Sequence, residues 1–350
     1  MAQPSENPAR RVALDVMGGD HAPQEVVAGA VQAAREGNIG IILVGPEPAI
    51  REEMAKYDTG GLDLTIEHTD EVIGMDEHPA EAVRARPRNT LSVCMQLIKD
   101  GRADAMASAG NSGAVVTAAV LGLGRIKGVP RPALGAVLPT ATGKPTLLLD
   151  IGATTDSKPD YLAQYALMGS AYMQGIFDIA QPRVALLANG EEDGKGDQLV
   201  QAAHGLIRAI AAKGMVNFVG NVEGRDIPKG EVDVIVCDGF VGNVALKLSE
   251  GLSRMLLGAI RTEIYSNPIN QLGGLILKGA FNKVRAKLDD EEYGGAPLLG
   301  VRGVAIVGHG SSHARAIKNM IRVARQAGDQ QLPAKIAEGV AAAGAATTEA

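Results

Sequence analysis

The chain has 350 residues, a formal net charge of −6, 46% hydrophobic and 21% charged residues, and only 3% aromatics. That length accommodates one large α/β domain, or two smaller ones, with a sizeable core. The acidic balance and scarce aromatic rings argue against nucleic acid as a partner, and two cysteines, Cys94 and Cys237, leave no disulfide framework and no zinc spacing.

The first ten residues are polar, with Pro4 and Pro8, and read as a flexible N-terminus without the apolar core of a signal peptide. From there, short apolar runs alternate with helical patterns, as in a mostly parallel sheet covered by helices. The first run, Val12–Val16, breaks at Gly18-Gly19 beside Asp15 and Asp20 and passes Pro23 into a helix from Gln24 to Glu36. Strands follow at Ile39–Gly45 and Leu62–Thr69, with helices at Glu47–Tyr57 and Glu81–Asp100, the latter interrupted near Pro87. Ala103–Ala109 is a strand ending in Gly110-Asn111-Ser112-Gly113, ahead of a helix from Ala114 to Leu123. Ala133–Leu138 and Thr146–Ile151 are strands around the turn Thr142–Pro145, the second leading through Asp150–Asp156 into a helix to Gln174. Arg183–Ala188 breaks at Asn189–Gly196, and Asn217–Gly220 and Val232–Cys237 are the next strands. The second ends in Asp238-Gly239-Phe240-Val241-Gly242-Asn243 before a long helix. Val304–Val307 closes the series with Gly308-His309-Gly310-Ser311-Ser312 and a helix from Ala314 to Ala327. The organisation expected is a single α/β domain over 11–328, with a flexible tail over 329–350.

Six strand ends therefore carry glycines, small hydroxyls, amides, aspartates, Lys195 and His309. Ligands of open α/β sheets bind beyond the carboxyl ends of strands, and this mixture suits a small anion and a carbonyl. Each residue also has a plainer reading. Asn111 and Ser112 either cap their helix or hold phosphate there. Lys195 is a solvated charge or an anion contact; Asp238 is a turn residue or orients Lys195; Asn243 caps a helix or donates to a carbonyl oxygen. His309 after a buried strand favours an active-site role, whereas Cys237, inside an apolar strand, reads as an inert thiol. Gly-x-Gly-x-x-Gly after the first strand, a Walker loop and a Gly-x-Ser-x-Gly elbow are all missing.

Residues 252–288 form a distinct stretch in which two helices meet near Asn267-Pro268. Ile269, Leu272, Ile276, Ala280, Val284 and Leu288 recur at helical spacing, widened by Leu275, Leu277 and Phe281, with Lys278, Lys283, Arg285 and Lys287 adding positive charge. Either a dimer core or an anionic lipid or acidic protein surface would cover such a face.

Taken in order, several motifs resemble the phosphate acyltransferase family of bacterial phospholipid synthesis: Leu14-Asp15-Val16-Met17-Gly18-Gly19-Asp20, Ser108-Ala109-Gly110-Asn111-Ser112-Gly113-Ala114, Gly124-Arg125-Ile126-Lys127-Gly128, Gly220–Asp226, Asp238–Asn243, Glu292–Gly300 and His309–Ser312. The resemblance spans Arg11 to Gln326. Two departures are visible: Ser112 replaces the family's usual Thr, and Ala188-Asn189-Gly190-Glu191-Glu192 stands where Asn-Ile-Gly-Glu-Glu is common. The resemblance implies a three-layer α/β/α, Rossmann-like fold similar to phosphotransacetylases and isocitrate-type dehydrogenases, with a protruding helical pair. It also implies transfer of an acyl group from acyl–acyl carrier protein to inorganic phosphate, with no cofactor and no metal. Lys195, His309, Asn243 and Asp238 are then the candidate catalytic residues. Gly18, Gly19, Asp20, Asn111, Ser112, Gly113, Asn189 and Ser311 are the candidate phosphate or substrate contacts. A homodimer in the cytoplasm is expected, with Leu275, Leu277, Lys278, Phe281, Lys283 and Arg285 meeting the membrane or the carrier.

Overall fold

A computed structural model describes residues 11–287 and 290–348. The proposed flexible N-terminus, Leu288 and the side chains of Arg285 and Lys287 lie outside the described residues. Eleven strands form one sheet: β1 (Arg11–Asp15), β2 (Gly40–Gly45), β3 (Leu64–His68), β4 (Ala105–Ser108), β5 (Ala133–Leu138), β6 (Thr146–Leu149), β7 (Arg183–Leu187), β8 (Asn217–Val222), β9 (Val234–Val236), β10 (Ala296–Leu299) and β11 (Val304–Val307). Their order is β3-β2-β1-β4-β11-β10-β5-β6-β9-β7-β8. The central strands are buried on both faces, which is why runs such as Gly40–Gly45 and Thr146–Leu149 show no polar alternation.

Helices cover both faces. The helices α1 (Gln24–Gly37), α2 (Glu47–Met54), α6 (Pro159–Phe177), α7 (Gln198–Ala212) and α10 (Ala314–Asp329) pack over one core. On the other side lie α3 (Pro79–Ala85), α4 (Thr90–Lys99), α5 (Ser112–Gly122) and the start of α8 (Gly239–Tyr265). This is the expected three-layer arrangement.

The sheet departs from simple parallel pairing at its centre. β10 is antiparallel to both β11 and β5, and β5 is antiparallel to β6. Consequently β6, β9 and β7 run opposite to β1, β4 and β11, so the six glycine-rich strand ends do not share one edge. A strand as short as β10, with Pro297 inside it and glycines at Gly294, Gly295 and Gly300 holding positive φ, carries little strand signature. Only the pairing of Ala296 with Val307 and of Leu298 with Leu134 makes it one.

Two further segments stand apart. The C-terminal stretch read as a flexible tail instead forms α11 (Leu332–Thr348), which packs on α6 and buries Leu332, Ile336, Val340 and Ala343. Those four positions recur at helical spacing, a period masked by the surrounding alanines and glycines. The helix α9 (Pro268–Lys287) folds back on α8, with Gly274 passing close to Ile264. Among the described residues of this hairpin only Gly239 and Gly242 are buried, at the root of α8. Ile269, Leu275 and Ile276 are 82%, 68% and 76% exposed, and Lys278 and Lys283 are exposed beside them, while Phe281 is half-buried. Among the described residues no helix is long and apolar enough to cross a membrane.

Candidate active site

Three turns from the first half of the sheet are locked together. Asp15, at the end of β1, is buried; its Oδ1 accepts the Met17 N–H at 3.2 Å and its Oδ2 accepts the Ser108 hydroxyl at 2.7 Å. Burial raises the Asp15 pKa, opposed by these hydrogen bonds. Ser108 Oγ in turn accepts the Gly110 N–H at 3.0 Å. A Cβ on Gly18 would lie 2.6 Å from the Gly110 nitrogen, so the turn after β1 and the turn after β4 touch. Gly19, at φ +106°, swings the chain so that the Asp20 N–H reaches the Gly310 carbonyl at 2.8 Å. Asp15 therefore orients this turn through Ser108 and the Met17 N–H.

Asp150 does the equivalent work in the second half. Its Oδ1 accepts N–H groups from Leu134, Gly152 and Ala153 at 2.9, 3.1 and 3.0 Å, and its Oδ2 accepts that of Thr154 at 2.7 Å. Burial raises its pKa against those four amides. The loop so formed receives Asn243, whose Nδ2 donates to the Ile151 carbonyl at 3.2 Å.

Between the two halves, along the face of β5, lies a cavity of about 460 Å³. One wall is polar and mostly backbone: Asp20, Gly110, Ser112, His309, Gly310 and Ser312. The other is apolar, from Leu134, Ala136, Leu138, Ile151 and Leu246, with Asn243, Lys247 and Glu250 on one stripe of α8. Five of the six strand-end segments reach this cavity; Asn189–Gly196 does not.

Individual candidates take different places. The Nδ1 of His309 accepts the Ser311 N–H at 3.3 Å and lies 2.8 Å from Ser311 Oγ. An acceptor Nδ1 puts the ring proton on Nε2, making that nitrogen a donor. Ser311 thus holds His309 and lies off the cavity lining. Asn111 is fully engaged: its Oδ1 caps Ala114 N–H at 3.1 Å, and its Nδ2 holds the Met75 and Glu77 carbonyls at 3.0 and 3.2 Å. The amide thereby latches the loop bearing Met75 over the cavity and leaves the Ser112 and Gly113 N–H groups, which have no intrahelical acceptor, at the helix start. Asp238 caps α8, accepting from Phe240 and Val241 at 2.9 and 3.0 Å, and makes no contact with Lys195. Lys195 is exposed on the loop after β7, its stem over Gly190, and Asn189 closes that loop by accepting the Gly196 N–H at 2.8 Å.

Cys237 and Cys94 are buried, and desolvation pushes both thiols well above their ordinary pKa, consistent with an inert reading. Among the described residues Glu191, Glu223 and Asp226 bring carboxylate oxygens within 4.8 Å of one another. Arg225 and Lys229 already meet all three, so the trio is a salt-bridge cluster. Cavity residues not anticipated from sequence include Met75, Leu246, Lys247 and Glu250. A helical count from Asn243, three, four and seven residues on, identifies the last three.

Against protein-family models, residues 10–335 match the family described as "Fatty acid synthesis protein". A phosphate acyltransferase of Dictyoglomus turgidum is 47% identical over 330 residues, covering 94% of this chain and 97% of that protein. One from Heliobacterium modesticaldum is 50% identical over 329 residues, with 94% and 97% coverage. The chain belongs to this family. As a phosphate acyltransferase family member it is an enzyme of the acyltransferase class in fatty-acid and phospholipid synthesis. A phosphotransacetylase from Streptococcus pyogenes superposes with a TM-score of 0.62 at 16% identity, covering 92% of this chain and 95% of its own. The EutD phosphotransacetylase from Staphylococcus aureus gives 0.60 at 17%, with 91% and 94%. At such identities these two establish a shared fold.

Proposed function

We propose that this phosphate acyltransferase moves the acyl group of acyl–acyl carrier protein onto inorganic phosphate, releasing acyl phosphate and the free carrier thiol. The observation that carries the reading is the two-sided cavity, with polar turns and the start of α5 at Ser112 on one wall and an apolar surface on the other. A phosphate oxygen attacks the thioester carbonyl carbon, an oxyanion forms, and the carbon–sulfur bond breaks to give a thiolate that takes up a proton. Phosphate needs little deprotonation at neutral pH, so catalysis rests on alignment and on stabilising the oxyanion. In this reading the turns at Gly18–Asp20 and Ser112–Gly113 hold phosphate, with Asp20 and the other turn carboxylates acting through the backbone. The Asn243 amide and His309 Nε2–H face the oxyanion, and Lys195, or His309 carrying a second ring proton, protonates the thiolate. Nucleophile and leaving group both come from the substrates, and no cofactor enters.

The test is phosphate-dependent thiol release from long-chain acyl–acyl carrier protein. His309→Ala is expected to lower kcat by roughly 10²–10⁴-fold, and Lys195→Ala less, since its loop lies off the cavity. Near-normal turnover of both variants at saturating phosphate would remove these residues from the mechanism. Release only from acetyl-coenzyme A would reassign the carrier.

The α8–α9 hairpin supports two further proposals: a homodimer, and peripheral attachment to the cytoplasmic membrane face through Leu275 and Leu277, with Lys278 and Lys283 beside them and Arg285 adding a basic residue to the same stretch of sequence. Liposome flotation of the wild type is expected to show binding that Leu275→Glu/Leu277→Glu abolishes. Equal, negligible flotation of both proteins would eliminate the membrane contact.

A further inference from the structure

Among the described residues Lys247 is the one lysine or arginine lining the cavity, where the remaining carboxylates are those of Asp20 and Glu250. Beside His309, the walls offer one lysine against two carboxylates, a poor balance for a dianionic reactant unless the lysine is available to it. The geometry makes it available. Lys247 lies one helical turn beyond Asn243 on the same stripe, and its Nζ rests 3.0 and 3.3 Å from the two carboxylate oxygens of Glu250. Glu250 has a second cation, because Arg254 Nη2 stands 3.4 Å from Oε2 and its Nε donates to the Glu250 carbonyl at 3.3 Å. The Glu250 side chain is only 16% exposed, whereas that of Lys247 is 51% exposed and on a flexible stem. An anion entering the cavity can therefore draw Lys247 off Glu250 without leaving a half-buried carboxylate unpaired.

We propose that Lys247 is the substrate-binding cation for inorganic phosphate, and that Glu250, backed by Arg254, parks it beside Asn243 until phosphate arrives. The assignment rests on phosphate being the acyl acceptor. It places the cation on α8, inside the cavity, and not on the exposed Lys195 loop.

The experiment varies inorganic phosphate at saturating acyl–acyl carrier protein for the wild type, Lys247→Ala, Lys247→Arg and Glu250→Gln, with a thermal melt of each. Lys247→Ala is expected to raise KM for phosphate by roughly 10- to 100-fold, the value of a charge-assisted hydrogen bond, while KM for the acyl carrier stays put. Lys247→Arg keeps the charge and recovers most of that loss. Glu250→Gln frees the lysine and lowers KM for phosphate, a change that a merely structural ion pair would not produce. An unchanged phosphate KM in Lys247→Ala, or equal rises for both substrates, overturns the assignment. If Lys247→Ala melts early, Glu250→Gln decides: a lower phosphate KM supports the proposal, and an unchanged or higher one overturns it. Absence of phosphate-dependent release by the wild type removes the acyltransferase reading and this assignment together. Release with an unchanged phosphate KM removes the assignment alone.

Discussion

Gly242→Ala is expected to cost about 3 kcal/mol or more and to abolish turnover, although it places a better helix former inside a helix. A Cβ at this position would sit 1.9 Å from the Asp150 carbonyl oxygen and 2.9 Å from Cys237 Sγ. Both neighbours are fixed: the Asp150 N–H donates to the Cys237 carbonyl at 3.0 Å, and the Cys237 N–H returns to the Leu149 carbonyl at 2.8 Å. Backbone of that kind does not yield, so the root of α8 must move, and Asn243 and Lys247 move with it. Gly251 and Gly258 supply the control within the same helix, since a Cβ on either meets nothing within 4 Å. Gly251→Ala and Gly258→Ala should stabilise by about 0.5–1 kcal/mol, as intrinsic helix propensity requires. Urea unfolding midpoints of the three variants check the contrast, and equal shifts would mean that α8 does not dock this closely.

Asp150→Ala is the second large effect, with an expected loss of about 4 kcal/mol and of acyl transfer. Its carboxylate accepts four backbone N–H groups in a buried setting. Each orphaned amide costs about 1–3 kcal/mol, and the four are not additive because the loop can partly open to water. Asp150→Asn should be milder, about 2 kcal/mol, because its remaining oxygen can keep the cluster around Oδ1 while its NH₂ faces the Thr154 N–H. Amide hydrogen exchange is the informative measurement: protection at Leu134, Gly152 and Thr154 should fall selectively in Asp150→Ala. Unchanged protection there would show that the loop is held by something other than this side chain.

These two positions illustrate what was readable in advance. Asp150 and Gly242 both lie in strand-end segments whose composition marked them as unusual, but the pattern of small residues does not say which one is pressed against which. Gly242 sits in a helical run where glycine looks merely unfavourable. Its reason is a backbone 92 residues earlier in sequence, at Asp150. Asn111 shows the same limit from the other side. Its position before a helix was legible as a cap, and the cap is present, but its second pair of bonds to Met75 and Glu77 depends on a loop with no periodic signal.

Local periodicity and composition determined most of the secondary structure, the mostly parallel α/β layering and the isolated apolar hairpin, because each depends on spacing within a single segment. The ordered series of motifs, likewise local, pointed to the family. Tertiary structure alone decided how the segments combine. The antiparallel β10, too short and proline-bearing to announce itself, separates β11 from β5, and the antiparallel β5–β6 pair then reverses half the sheet and puts the strand ends on two sides of β5. In that order β7 lies beyond β9, which keeps the Lys195 loop off the cavity wall, while β9, next to β6, leads into the first turns of α8, with Asn243 and Lys247, opposite His309. Strand order and long-range pairing are set by contacts between distant residues, which no local pattern encodes.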